Sequence, residues 1–377
     1  MKKILIIMTG GTICSVKGDD GKSRSNADFT KSYLEDYFRN CSGSLLCHEV
    51  GFEYERLSTD ILSENMTFEI LNELIGIFKK NANRGDLSGI IVLHGTDTLA
   101  YTSSFLSFAL AGLEIPVIMV SSQLALMCDE DNTINEKANG YANFCTAAEL
   151  ILNGILPNVY VAYRNEHNEQ NGAHEPGVML LHLGSRLRQC PDGSNNFHSS
   201  GEICVTDVKT VAGVTVEQGD CLYLGACDLS RRVLLIHPYT GMRYDAFCLD
   251  GYYAAVHGTY HSQSVCIGRP DDEHNKSEIN CTLDMIRESD RPYSVLTLLD
   301  SCQQRGLPLF LAPCNSESFK YGTTANALAM GAVALGDMTQ EAAYAKATLG
   351  VALGLSGDEL CDFMMRGIDH ESGSFSF

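Results

Sequence analysis

Lys2-Lys3-Ile4-Leu5-Ile6-Ile7-Met8-Thr9-Gly10-Gly11-Thr12-Ile13 stands at the head of the sequence. A β-branched apolar run ending in two glycines predicts a buried strand with Thr12 at its carboxyl edge. Ligands of open parallel sheets bind at that edge, and glycines let a small molecule approach the backbone. Thr12 is therefore a candidate nucleophile. Taken alone, Thr9-Gly10-Gly11-Thr12 also reads as an ordinary turn.

A second segment repeats the pattern. Gly89-Ile90-Ile91-Val92-Leu93 runs into His94-Gly95-Thr96-Asp97-Thr98, and Leu99, Ser103, Leu106 and Leu110 follow at helical spacing. On its own the Gly-Thr-Asp-Thr stretch reads as a helix N-cap, because Thr and Asp side chains accept bonds from the first helical amides. Both motifs after buried-strand runs point further. A threonine hydroxyl is a weak nucleophile that needs a neighbouring base, so two threonines and an aspartate at matching strand ends form a candidate catalytic unit.

Outward from these blocks, apolar runs alternate with amphipathic ones, the pattern of parallel βαβ units. Gly89 to Leu93, Pro116 to Val120 and Val159 to Tyr163 read as strands. Phe68 to Phe78 and Ala138 to Leu152 read as helices. The expectation is a larger amino-terminal α/β domain over residues 1–200, with a mostly parallel doubly wound sheet. Residues 201–229, rich in Gly, Thr and Val without helical period, read as a linker. Val233-Leu234-Leu235-Ile236-His237-Pro238 opens a smaller α/β domain over 230–377. A length of 377 residues exceeds the usual reach of one core and favours two domains.

Net charge of −20 argues against nucleic acid, whose phosphates need concentrated Lys and Arg, and against an anionic membrane surface. A small zwitterionic substrate is compatible with it. The 15 cysteines include no Cys-x-x-Cys pair, so no zinc site is expected. No Cys stands at a strand end with a helix following, which disfavours a Cys nucleophile. The apolar run after Lys3 is too short for a secretory signal and no run has transmembrane length. A reducing cytoplasm is the expected compartment.

Thr9-Gly10-Gly11-Thr12-Ile13, His94-Gly95-Thr96-Asp97-Thr98, Ser121-Ser122-Gln123 and Gly336-Asp337-Met338-Thr339-Gln340-Glu341-Ala342-Ala343 with Lys346 resemble, in order and spacing, the bacterial-type L-asparaginase/glutaminase family. The resemblance implies a two-domain α/β fold, hydrolysis of L-asparagine by a Thr nucleophile, no cofactor and no metal. It also implies a homodimer or homotetramer in which a neighbouring subunit completes the site. Thr12 matches the first catalytic threonine, Thr96 and Asp97 the second threonine and its carboxylate. Ser63 matches the serine for the substrate α-carboxylate, with Glu64 beside it, and Gly11, Gly95 and Gln123 join the substrate contacts. Ser63 also reads as the N-cap of a helix starting near Thr67.

Three departures stand out. Where the family carries a catalytic lysine, counting forward from Gly184 gives Gln189 and counting back from Phe197 gives Arg188. Arginine stays protonated and glutamine carries no charge. The segment from Cys14 to Ser32 holds no tyrosine, Phe29 supplying only a ring, and Tyr33 falls in the next helix. An acidic stretch, Cys128-Asp129-Glu130-Asp131-Asn132, follows Gln123, and Lys137 within this insertion reads either as a solvated surface lysine or as a substitute ammonium. Alternative expectations are a same-fold hydrolase for another small amide, whose altered loop sets its specificity, and an amino-acid-binding protein without turnover.

Overall fold

The computed structural model describes residues 2–17, 23–25, 27–41, 45–127, 133–166, 177–191, 193–213, 232–268, 283–288, 291–315 and 321–373. The chain divides into two compact units, one from Met1 to Ala226 and one from Cys227 to Ser374.

Seven strands form the sheet of the amino-terminal unit: β1 (Lys2–Gly10), β2 (Val50–Ile61), β3 (Leu87–Leu93), β4 (Val117–Val120), β5 (Val159–Arg164), β6 (Met179–Leu183) and β7 (Ile203–Cys204). Their order is β7-β6-β5-β4-β3-β1-β2. β2 to β5 are joined in parallel through β1 and β3, whereas β6 and β7 run antiparallel to their neighbours. β1 is buried on both faces from Ile4 onward, as a central parallel strand must be when helices cover both sides.

Helices α1 (Ala27–Cys41) and α4 (Gly140–Leu152) cover one face. Leu34, Phe38 and Phe144 pack there on Ile4, Ile6, Ile91, Ile118 and Tyr160. α2 (Phe68–Asn81) and α3 (Leu99–Ala109) lie between the strands they connect. α2 buries Leu71, Leu74, Ile75 and Phe78, the i, i+3, i+4, i+7 stripe of an amphipathic helix. Each such side chain taken fully out of water stabilises by about 1.5–3 kcal/mol.

The expected linker begins later than residue 201. Ile203–Cys204 pairs with β6, and Val208–Ala212 forms a short helix, α5, capped by the Asp207 carboxylate on the Thr210 N–H at 2.9 Å. Val211 and Ala212 are buried in the amino-terminal core. Residues 214–231, the rest of that stretch, lie outside the described ones.

The carboxyl-terminal unit has a four-stranded parallel sheet, β8 (Arg232–Ile236), β9 (Tyr252–Gly258), β10 (Leu309–Ala312) and β11 (Val333–Ala334). Thr339 in the late motif caps the helix Gln340–Ala352, its hydroxyl accepting from the Ala342 N–H at 3.1 Å. Lys346 in that helix is fully buried, donating to the Met364 and Arg366 carbonyls and to the Glu371 carboxylate. The late motif thus caps a helix and ties down the last residues of the unit. No helix among the described residues is long and apolar enough to cross a membrane.

Candidate active site

The strand order 2-1-3-4-5 makes the carboxyl ends of β1 and β3 the point where the sheet grows in opposite directions, and a crevice opens outside the strands at such a point. Both sequence motifs end there. Gly11 adopts φ +77° and donates its N–H to the Ile61 carbonyl at the end of β2, at 2.8 Å. A methyl group at Gly11 would meet the Gly95 N and Cα at 2.5 Å, and one at Gly95 would meet Ser63 Oγ at 2.3 Å. Only glycine permits this approach. Thr12 and the Thr96 turn are therefore neighbours, with no side chain between their backbones.

Ser63 follows β2 in a single 3-10 turn, Ser63–Asn65. Its hydroxyl accepts from the Asp97 N–H at 3.1 Å and lies 3.2 Å from Asp97 Oδ2. Its carbonyl accepts from the Thr98 hydroxyl at 2.9 Å. The N-cap of α2 is Thr67, so the helix-cap reading of Ser63 is corrected: the chain reaches α2 only after another turn. Thr98 does occupy the N-cap of α3, but its side chain makes no cap bond.

The hydroxyls and backbone N–H groups of Thr12 and Thr96 make no hydrogen bond among the described residues. Both threonines are half-buried, Asp97 and Glu64 are exposed, and Ser63 is buried. His94 is fully buried, its Nδ1 2.7 Å from the Gly95 carbonyl. A carbonyl only accepts, so Nδ1 carries the proton. Burial pushes the imidazole down to about 4, so it is neutral at pH 7.

Gln189 reaches the position beside this turn. Its Nε2 donates to the Thr96 carbonyl at 2.8 Å and its Oε1 accepts from the Ala100 N–H at 3.3 Å. It supplies from a distant segment the acceptor that Thr98 withholds from the first turn of α3. Upstream, Ser103 and Ser104 donate to the Gly184 carbonyl at 3.2 and 3.0 Å. Arg188 does not take this place: it is exposed, in a two-residue ladder opposite His198. Lys137 is exposed and its backbone N–H is held by Asn135.

Gln123 follows β4, and Asn139 and Asn143, where the family's Asp-x-x-x-Asn helix start resumes in the sequence, hold this wall of the crevice. Asn139 accepts from the Gln123 N–H at 3.0 Å and donates to the Arg164 carbonyl at 2.8 Å. Asn143 donates to the Ser121 carbonyl and accepts from the Arg164 N–H, at 2.9 and 2.8 Å. Asn139 occupies the N-cap position of α4 and Asn143 lies in its first turn, a spacing of four that puts both on one face. Residues 18–22 and 26 of the segment without tyrosine, and 128–132 of the acidic insertion, lie outside the described residues. Phe29 and Tyr33 belong to α1. Among the described residues no group of His, Cys, Asp or Glu is placed to hold a metal ion.

A family model described as "Asparaginase, N-terminal" matches residues 3–217. A protein of Saccharolobus solfataricus, named as a subunit of glutamyl-tRNA(Gln) amidotransferase, is 36% identical over 259 residues, 64% of this chain and 51% of that protein. The Sulfolobus acidocaldarius protein of the same name is 27% identical over 188 residues, 50% of this chain and 37% of that one. The match thus spans about half or less of the length of these curated relatives. Among solved structures, the thermostable L-asparaginase from Thermococcus kodakarensis aligns with a TM-score of 0.70 at 22% identity, covering 99% of this chain and 100% of the other. L-asparaginase I from Vibrio cholerae gives 0.65 at 20% identity, covering 99% of each. At these identities the structural likeness shows the fold. Because the family model covers more than half of its residues, this chain belongs to the asparaginase family.

Proposed function

We propose that the chain hydrolyses the side-chain amide of L-asparagine to L-aspartate and ammonia, with Thr12 as nucleophile. The observation that supports this reading is the close approach of Gly11 to Gly95, which brings the segments carrying Thr12 and Thr96 together at the switch point, neither hydroxyl hydrogen-bonded among the described residues. Thr12 Oγ attacks the amide carbon, the C–N bond breaks and ammonia leaves with the hydroxyl proton. Water then cleaves the acyl ester, releasing the acid and restoring the hydroxyl. The free N–H groups at Thr12 and Thr96 and the Thr96 hydroxyl suit a developing oxyanion, commonly the largest electrostatic contribution.

In this reading Ser63 and Asp97 hold the substrate α-carboxylate and α-ammonium, Gly11 and Gly95 allow close approach, and Glu64 and Gln123 border the pocket. A second copy of the chain completes it in a homodimer or homotetramer. Gln189 holds the Thr96 turn but neither takes nor gives a proton, so the unaltered protein turns over slowly. A second reading follows from the 36% identity to a protein named as part of an amidotransferase: the amide nitrogen passes to an acceptor with other subunits present.

Ammonia release from L-asparagine, L-glutamine and other small amides by the purified chain tests this. Thr12→Ala and Thr96→Ala are each expected to lower the rate by at least about 10²-fold. Gln189→Lys is expected to raise it by about 10²–10⁴, the usual size of a positioned proton-transfer group. Activity that survives both threonine substitutions overturns the reading. So does silence toward every amide in the Gln189→Lys variant, in which case calorimetric binding without turnover identifies a binding protein. Ammonia formed only with amidotransferase partners present selects the second reading.

A further inference from the structure

α1, α4, residues 134–138 before α4 and the end of β5 line a half-open cavity of about 580 Å³, a volume typical of small-molecule sites. Its floor is aromatic. Tyr37 and Tyr141 stack at 4.4 Å with 26° between their planes, and Tyr141 is fixed by its hydroxyl on the Leu126 carbonyl at 2.8 Å. Tyr33 adds a third ring, and Asp36 and Glu136 add carboxylates at the rim.

Arg164 completes the lining. Along β5, Tyr160 and Ala162 belong to the core beneath α1 and α4, whereas Tyr163 packs on Phe197 on the other side. Alternation along the strand sends Arg164 to the cavity side. Its N–H and carbonyl are held by Asn143 and Asn139, but its guanidinium forms no ion pair among the described residues, although it is half-buried. A guanidinium matches a carboxylate with two parallel hydrogen bonds, and withdrawing it unpaired from water is costly.

We infer that this cavity is a second binding site, for a free α-amino acid with an apolar, flat side chain. The α-carboxylate pairs with Arg164, the α-ammonium with Asp36 or Glu136, and the side chain lies against the tyrosine rings. One cation and two anions around an aromatic floor accept a zwitterion, whereas a simple carboxylate leaves the acids facing it without a partner. Only the Arg164 backbone is shared with the candidate active site, where it anchors Asn139 and Asn143, and the inference stands whether or not the chain hydrolyses asparagine.

Calorimetry on the full chain tests it with L-phenylalanine, L-leucine, 3-phenylpropionate and 2-phenylethylamine. L-Phenylalanine is expected to bind at one site per chain. Removing either its ammonium or its carboxylate should weaken binding by at least about tenfold, the size of one charge-assisted hydrogen bond. Arg164→Gln should weaken it at least as much and Tyr33→Ala measurably, while Thr12→Ala leaves it unchanged. Arg164→Lys, which keeps the charge and loses the fork, should fall between, and circular dichroism confirms that each variant is folded. The inference is overturned if L-phenylalanine does not bind in the millimolar range, or if L-leucine, which lacks a flat side chain, binds more tightly than L-phenylalanine. It is equally overturned if folded Arg164→Gln binds L-phenylalanine as well as the unaltered chain, or if 2-phenylethylamine binds as tightly as the amino acid.

Discussion

Gln189 shows how much one side chain can do at a distance in sequence. Its two hydrogen bonds span 93 and 89 residues and fix the turn that carries Thr96. Gln189→Ala is expected to lower stability by about 1–3 kcal/mol, the cost of leaving polar groups unsatisfied, read as a lower urea midpoint with an unchanged slope. Hydrogen exchange should localise the loss to the start of α3, and unchanged protection at Ala100 would contradict the assignment. Sequence reasoning narrowed the position to Gln189 or Arg188. In the fold it is Gln189 that turns back toward α3 after a two-residue ladder, while Arg188 stays exposed. Ser63 is a similar case: its bonds to Asp97 bridge 34 residues, and nothing local separates a helix cap from that role.

At the level of elements, the long strands and helices were legible because they carry strong periodicity. Ile4 to Met8, Ile90 to Leu93 and the α2 stripe each announce their burial. Val208–Ala212 was not legible: five residues do not complete a helical stripe, and their apolar side chains gain burial only from α4 and the sheet. The meeting of β1 and β3 was legible in type, as two glycine-bearing strand ends, but not in its closeness. Gly11→Ala combines a positive φ with a backbone contact at 2.5 Å, and is expected to destabilise by more than about 2 kcal/mol. Gly76 provides the contrast. It is exposed within α2 with nothing within 4 Å of an added Cβ, so Gly76→Ala should stabilise by about 0.5–1 kcal/mol. Thermal denaturation of the two variants, with midpoints moving in opposite directions, checks the pair.

Across the whole molecule, buried histidines tie stability to pH. Burial pushes His94 to about 4 and His182 to about 3 in the amino-terminal unit, and His257 to about 4 in the other. An unfolded histidine takes up its proton near pH 6.5, while these remain neutral in the folded chain. Their contribution is complete above about pH 6.5 and is lost as pH falls toward the folded values, because the unfolded state then binds more protons. Each histidine contributes a slope that rises from about 0.7 kcal/mol per pH unit at pH 6.5 toward a limit of about 1.4 as pH falls to 5. The amino-terminal unit should therefore weaken about twice as steeply as the carboxyl-terminal one. Hydrogen exchange on peptides from the two cores measures both slopes, and equal or flat slopes would contradict the prediction.

Asn139 and Gly140 bear on the lifetime of the protein as a chemical object. An Asn-Gly step is the dipeptide most prone to spontaneous deamidation, in which the glycine nitrogen attacks the asparagine side-chain carbonyl. Here that nitrogen is engaged by Ser122 Oγ at 3.2 Å, and the Asn139 amide is held by Gln123 and Arg164. The fold thus protects the bond on which it relies. When the chain opens, the step ages. Conversion to aspartate or isoaspartate removes the side-chain amide N–H that donates to the Arg164 carbonyl, so repeated unfolding would leave a growing fraction of molecules unable to rebuild the wall behind Gln123.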